Sequence, residues 1–481
     1  MAQTATGARG MRYGLDDVPR PFPLAVGLGV QHVLTMFGAT IAVPLILGPA
    51  MEMTGGEIAI LVSSVMICSG LATLVQVSIG TRLPIIQGIS FSFLGPFFAI
   101  IGATAAQGGR VSMQFIAGAV LAGAVVEMIV GYSGLLGRLR DFVSPVVIGP
   151  TIAMIGLALF GVGAPTAAGN WWLALIVVTG VFVFSLIVAP RNRFVGLFPI
   201  LLAVLVAYAV ALVGSLTGII PEGSPGYVSF AALGEAPWVR NPVDVVFPWG
   251  APQFKAGFIL SALAGYLASM IESFGDYHSV AAAAGAPRPS DRQINRGIGA
   301  EGIGCFLTGI FGGFASTSYT ENIGLVALTR VASRYVVVIA GVLLVVLGFI
   351  AKFGALIATI PQPIVGGLYL TLFGLIASIG LGVLRHADLD SQRNQLIIGF
   401  SLFMGLSLPA YFNNVEVQVS WAPWLGEMID SIGSTGMAVS AIIGLLLDNL
   451  IPGTRRERGL DTGHEVDVQT EVAEPEGRAW S

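Results

Sequence analysis

Long apolar runs separated by short polar connections recur along almost the whole chain, and most are close to the roughly 20 residues that a transmembrane helix needs. They predict fourteen spans, at about 22–47, 57–79, 85–101, 112–133, 140–162, 171–189, 196–214, 257–284, 293–314, 318–332, 335–352, 360–383, 394–411 and 434–452. Two of them break the pattern. The third lies between Pro84 and Pro96 and carries Gln87-Gly88 and Ser90-Phe91-Ser92-Phe93. The tenth opens on hydroxyl side chains from Ser316 to Thr320, then sets Glu321 beside Asn322 before turning apolar as far as Arg330. A polar connection, 215–256, divides the spans into two sets of seven. With an odd number in each half, the second half enters the membrane from the opposite side, and interrupted segments at matching positions point to a site near the bilayer midplane.

Composition agrees with a polytopic membrane protein. Of 481 residues 55% are hydrophobic and 10% charged, where soluble domains carry about 25% charge. The 64 glycines and 26 prolines suit membrane helices, in which small residues let backbones approach. With the N-terminus placed in the cytoplasm, all but four of the 23 basic residues fall inside, the four being Arg110, Arg240, Lys255 and Lys352. That bias is expected of a correct orientation, with both termini cytoplasmic in the plasma (inner) membrane. Residues 1–21 lack the apolar stretch of a signal peptide, and after Arg455 the mixed-charge composition predicts a disordered tail. Cys68 and Cys305 sit in apolar segments without ligand spacing and read as small buried hydrophobes.

Ionisable side chains inside such a protein are expensive and by default mark function. Four acids lie in the second-half spans: Glu272 and Asp276, four apart and so on one helix face, then Glu301 and Glu321. No Lys or Arg is placed to neutralise them centrally. In a low dielectric they cannot all stay ionised, so some must hold protons or face a bound cation, and either solution couples the site to a cation gradient. Gln31-His32 is a second polar pair, His278 a further candidate, and Glu127 and Asp448 stand alone and read as structural. Phe91 and Phe93, in a broken span beside polar groups, suit stacking on a flat heterocycle. Walker loops, dinucleotide glycine motifs, Cys/His clusters and the Gly-x-Ser-x-Gly elbow are missing from the sequence. That argues against an ATP-driven pump and against an enzyme. The cytoplasmic arginines are topology determinants rather than a nucleic-acid surface.

The stretch Glu321-Asn322-Ile323-Gly324 through Thr329-Arg330 resembles the signature of the nucleobase-ascorbate transporter family, also called nucleobase:cation symporter-2. Gln31-His32 with Phe37-Gly38-Ala39-Thr40, the Ser90–Phe93 run, and Ile271-Glu272-Ser273-Phe274-Gly275-Asp276-Tyr277 are similar to its motifs in spans 1, 3 and 8. The resemblance implies fourteen helices in inverted repeats, sorted into a core (22–139 and 257–359) and a gate (140–214 and 360–452). To these it adds a cytoplasmic segment 1–21, an extracellular connection 215–256 and the tail 453–481. It also implies a homodimer through the gate and an elevator-like movement of the core. Glu272 and Glu321 would hold the base by hydrogen bonds, Phe91 would stack near it, and backbone N–H groups around Ser90 and Thr320 would complete the pocket. Asp276, Glu301, Asn322, Gln31 and His32 would support the site or couple it to the cation.

The first signature position is the substrate indicator, and Glu321 resembles the uracil carriers. A carboxyl group can accept from a ring N–H and, when protonated, donate to a carbonyl, which suits a neutral base. Uracil with a proton is therefore the first expectation, and no cofactor is needed. Two departures open alternatives. The position of Asp276 holds His in the bacterial uracil carriers, and the surrounding run is similar to the animal branch, which makes Asp276 a candidate sodium ligand. A purine (xanthine or urate) or ascorbate carrier, and an anion exchanger or channel of similar architecture, are the other readings.

Overall fold

The computed structural model describes residues 11–135, 142–192, 195–412, 414, 415, 417 and 419–460. The first residues of the expected fifth span, the N-terminal ten residues and the tail beyond 460 lie outside it.

Every expected span contains helix among the described residues, and local sequence sets the ends. α1 (Phe22–Ala50) is followed by α2 (Gly55–Ser78), which opens on a capping box: Glu57 N–H donates to Thr54 Oγ1 at 3.3 Å, and Thr54 N–H to Glu57 Oε2 at 2.9 Å. The third span is interrupted as its prolines suggest, giving a three-residue strand β1 (Gln87–Ile89), one 3-10 turn (Phe91–Phe93) and a half-helix α3 (Leu94–Thr104). α4 (Gly109–Ser133) follows, then α5 (Pro145–Leu157), α6 (Phe160–Ala167), α7 (Trp171–Phe182) and α8 (Pro199–Leu216).

The second half begins with α9 (Ala256–Ala283) and α10 (Asp291–Phe311). Its interrupted span is the strand β2 (Ser316–Ser318) and half-helix α11 (Thr320–Thr329). α12 (Arg334–Phe349), α13 (Ala351–Ala358), α14 (Gln362–Val383), α15 (Gln392–Phe412), α16 (Pro423–Gly433) and α17 (Gly436–Leu450) complete it. Among the described residues nine helices are long and apolar enough to cross a membrane, and three apolar ones are shorter. The count of fourteen crossings remains a reading of the sequence.

Two packing groups emerge. α4 lies along α10, α2 against α10, α12 and α13, and α1 against α12. Separately, α14 packs on α5, α6 and α7, and α17 on α5 and α15. Contact within the first group is close because glycines face one another: a Cβ on Gly131 of α4 would stand 2.3 Å from the Gly299 backbone nitrogen of α10.

Both ends of the described part of the chain are tied down. Residues 11–17 form a strap over the turn after α11: Arg12 N–H donates to Arg330 O at 2.8 Å, Tyr13 pairs with Val331, and Asp16 bridges Arg334 at 2.6 Å. At the other end, residues 453–460 of the tail expected to be disordered are ordered, and the remainder of that expected tail lies outside the described residues. Residues 453–460 fold back so that Glu457 O accepts from Asn394 Nδ2 at 2.7 Å, and the Glu457 carboxyl accepts from Ser391 Oγ. Asp448 is fully buried between Arg393 (3.0 Å), Arg458 (2.8 Å) and Ser144 Oγ (2.8 Å), which accounts for an acid in an apolar helix.

Candidate functional site

The interrupted spans meet at a short antiparallel ladder, with Gln87 opposite Ser318, Gly88 opposite Thr317 and Ile89 opposite Ser316. Ser90 N–H to Ala315 O and Tyr319 N–H to Ile86 O, both 3.0 Å, extend it. Each strand leads into a half-helix, and because the strands run oppositely the half-helices leave the crossing in opposite directions. Their N-termini, with unsatisfied N–H groups and the positive ends of their dipoles, therefore face the crossing. Gly88 makes room for Tyr319: a Cβ there would meet the ring at 2.5 Å. The Tyr319 hydroxyl donates to Ile89 O at 3.1 Å and accepts from Thr40 Oγ1 at 3.2 Å.

α9 brings its acids to this crossing. Both Asp276 carboxylate oxygens accept from Thr320 Oγ1, at 3.0 and 3.1 Å. Glu272, one turn earlier, is half-buried, while Thr320 and Glu321 at the start of α11 are exposed. Glu272 and Asp276 are one turn apart on α9, and the Thr320 hydroxyl bonded to Asp276 belongs to the residue next to Glu321. Neither Glu272 nor Glu321 forms a side-chain hydrogen bond or ion pair with another described residue, so both carboxyl groups can engage a ligand. The half-buried Phe91 packs beside Met154, Ala268 and Met437, where the two packing groups meet.

Glu301 lies deeper and is almost wholly buried. Its carboxyl accepts from Ser269 Oγ (3.0 Å), Ser273 Oγ (2.6 Å) and Tyr277 Oη (3.0 Å), and Tyr277 Oη in turn accepts from Gln76 Nε2 at 2.7 Å. Ser273 Oγ also meets Thr317 Oγ1 at 3.1 Å and accepts from Ser318 N–H at 3.3 Å. The cluster ties α9 and α10 to the strand that feeds Glu321. Asn322 turns away from the acids and fixes α11 to α1, its Nδ2 donating to His32 O at 2.9 Å and lying 3.2 Å from His32 Nδ1.

Other candidates fall elsewhere. The Ser90 N–H itself donates to Ala315 O in the ladder, so of the backbone donors expected around Ser90 that one is already committed. Gln31 lines a different cavity, next to Arg12 and Arg330. His278 bonds its own helix at Phe274 O, 2.9 Å away. Glu127 is fully buried on α4, and its carboxyl oxygens have no hydrogen-bond partner among the described residues. Sequence reasoning missed Gln76, Ser269, Ser273 and Tyr277. The signal was the four-residue spacing of Ser269, Ser273 and Tyr277, one polar stripe beside the acidic one.

A sequence model of the permease family matches residues 25–414. Solute carrier family 23 member 2 of Rattus norvegicus is 36% identical over 94% of this chain and 76% of its own length. Nucleobase-ascorbate transporter 2 of Arabidopsis thaliana is 32% identical over 94% of this chain and 91% of its own. Among solved structures, the transmembrane domain of the cyanobacterial bicarbonate transporter BicA superposes with a TM-score of 0.55 at 15% identity, covering 88% of this chain and all of that one. The murine anion transporter solute carrier 26 family member A9, in its inward-facing state, gives 0.54 at 11% identity over 90% and 69% of the two chains. These two show a shared fold alone.

Proposed function

The chain belongs to the permease family that includes the nucleobase-ascorbate transporters, a multi-pass membrane transporter and not an enzyme, and we propose that it imports a nucleobase, uracil first, by proton symport. The observation that carries this is the pair Glu272 and Glu321: two carboxyl groups with no side-chain hydrogen bond or ion pair to another described residue, from a continuous helix and a half-helix that meet at the crossing to which Phe91 also belongs. A neutral planar base with alternating N–H and C=O groups can accept from and donate to such a pair while its face meets the ring. Anions are disfavoured by two acids and no Lys or Arg at the crossing.

Phe91 belongs to the crossing and packs against residues of α5 and α17, which supports an elevator-like movement of the first packing group, as core, past the second, as gate. The gate would also form the homodimer, and the arginine bias supports cytoplasmic termini.

Sodium coupling is the second reading, and Asp276 with Thr320 favours it: three oxygens from two elements gather where a hard cation would take oxygen ligands. Uptake of labelled uracil into proteoliposomes, with a proton or a sodium gradient imposed separately and with xanthine and ascorbate as competitors, tests both. Uptake driven by neither gradient would remove the symport reading. Competition by xanthine or ascorbate without uracil uptake would reassign the substrate within the family.

A further inference from the structure

We propose that the cavity bounded by α1, the end of α11 and the N-terminal strap binds the acidic headgroup of a membrane phospholipid, a glycerol-bearing phosphodiester such as phosphatidylglycerol. The cavity, about 480 Å³, lies beside the start of α1 and is lined by two arginines, Arg12 and Arg330, and by no acid. The backbone bond from Arg12 N–H to Arg330 O fixes the two residues together. Neither guanidinium has an ion pair or side-chain hydrogen bond with another described residue. The acids nearest in sequence are committed, Asp16 to Arg334 and Asp17 to the Gly14 N–H.

Two like charges on residues bonded through their backbones, with no ion pair to another described residue, disfavour one another, and a phosphate engaging both by paired N–H donors removes that cost. The apolar part of the lining selects the source of the phosphate. Leu24, Leu28 and Leu328 contribute to it, and Leu24 and Leu328 remain 42% and 37% exposed. A free anion has no use for that part; an acyl chain does. Gln31, a further lining residue, adds a buried side-chain oxygen with no hydrogen-bond partner among the described residues, which a small rearrangement would offer to a headgroup hydroxyl. Snorkelling arginines alone would need neither a cavity nor this acceptor, and basic pockets between membrane helices are the usual seats of acidic headgroups. The site is independent of which base is carried.

The test is native mass spectrometry of the purified full chain with equal amounts of phosphatidylglycerol and phosphatidylcholine. Wild type and R292Q, which alters an arginine outside the cavity, are expected to retain phosphatidylglycerol several-fold over phosphatidylcholine, and R12Q/R330Q to retain both alike. Should the double variant not fold, R12Q alone carries the test, because Arg12 is anchored through its backbone and its side chain is dispensable to the strap. Equal retention by wild type, or an undiminished preference in R12Q and R12Q/R330Q, overturns the proposal. So does displacement of phosphatidylglycerol by inorganic phosphate, which would make the site one for soluble anions.

Discussion

Thr320 Oγ1 stands 3.0 and 3.1 Å from the two carboxylate oxygens of Asp276, so the first residue of a half-helix holds the middle of a continuous one. On the reading that Asp276 couples the cation, Thr320→Ala removes a hydrogen bond to a charged group, worth about 1.5 kcal/mol or more. The half-saturating cation concentration for uptake is expected to rise roughly tenfold, with Thr320→Ser close to wild type. Unchanged proton and sodium dependence in T320A would separate Asp276 from coupling.

Glu272→Gln is expected to abolish nucleobase uptake, and Glu321→Gln to weaken uracil and shift preference among bases. Glu272 and Glu321 come from different helices and neither carboxyl is bonded to another described residue, so each substitution removes a carboxylate acceptor from the ligand itself. Competition assays with uracil, xanthine and hypoxanthine read the shift; wild-type uracil transport in both variants would empty the proposed site.

Tyr277→Phe acts at a distance from the ligand. It deletes one of three hydroxyl donors to Glu301 and strands Gln76 Nε2 without its acceptor. A loss of about 1–3 kcal/mol is expected from the unsatisfied buried groups, seen as a lower melting temperature of the purified protein. Combination with Ser273→Ala should fall short of additivity, because both donors serve one carboxyl.

Much of this arrangement was legible in the chain. Pro84, Pro96 and the hydroxyl run before Glu321 announced two broken spans, because only glycine, proline and polar residues tolerate an interrupted helix there. Four-residue spacing put Glu272 and Asp276 on one face. What stayed hidden depended on residues far apart in sequence. Nothing local says that Glu301 is enclosed by Ser269, Ser273 and Tyr277, that Asn322 is occupied by His32, or that the Ser90 N–H goes to Ala315. The acids all looked alike in sequence; only packing separates Glu301, saturated by hydroxyls, from Glu272 and Glu321, left open.

Gly131→Ala tests the closeness of α4 and α10. The new methyl carbon would stand 2.3 Å from the Gly299 nitrogen and 2.7 Å from its Cα, both backbone atoms that cannot step aside. A cost of about 1–3 kcal/mol is expected, with reduced folded yield. Gly399→Ala on α15, whose added carbon meets nothing within 4 Å, should be silent or slightly stabilising.

A pH-dependent contact is expected at the C-terminal turn. The Ser391 hydroxyl, then the Thr454 N–H and the charge of Arg393, hold the half-buried Glu457 carboxyl below its ordinary value. A group whose pKa is lowered by folding contributes above the unfolded value and loses that contribution as pH falls through the folded one. The turn should therefore stay docked from neutral pH down to the ordinary carboxylate range near pH 4.3 and loosen below it. Hydrogen exchange of residues 454–460 measures this, and Glu457→Gln should flatten the profile.

The ladder between Gln87–Ile89 and Ser316–Ser318 also dictates an order of assembly. When the first half of the chain has entered the membrane, the backbone donors and acceptors of its strand have no counterpart until the second half arrives, and lipid can offer none. Insertion of the early helices must therefore leave a water-filled or escorted gap that closes only after the polypeptide is nearly complete. Severing the chain in the 215–256 connection should yield halves that become functional only when made together.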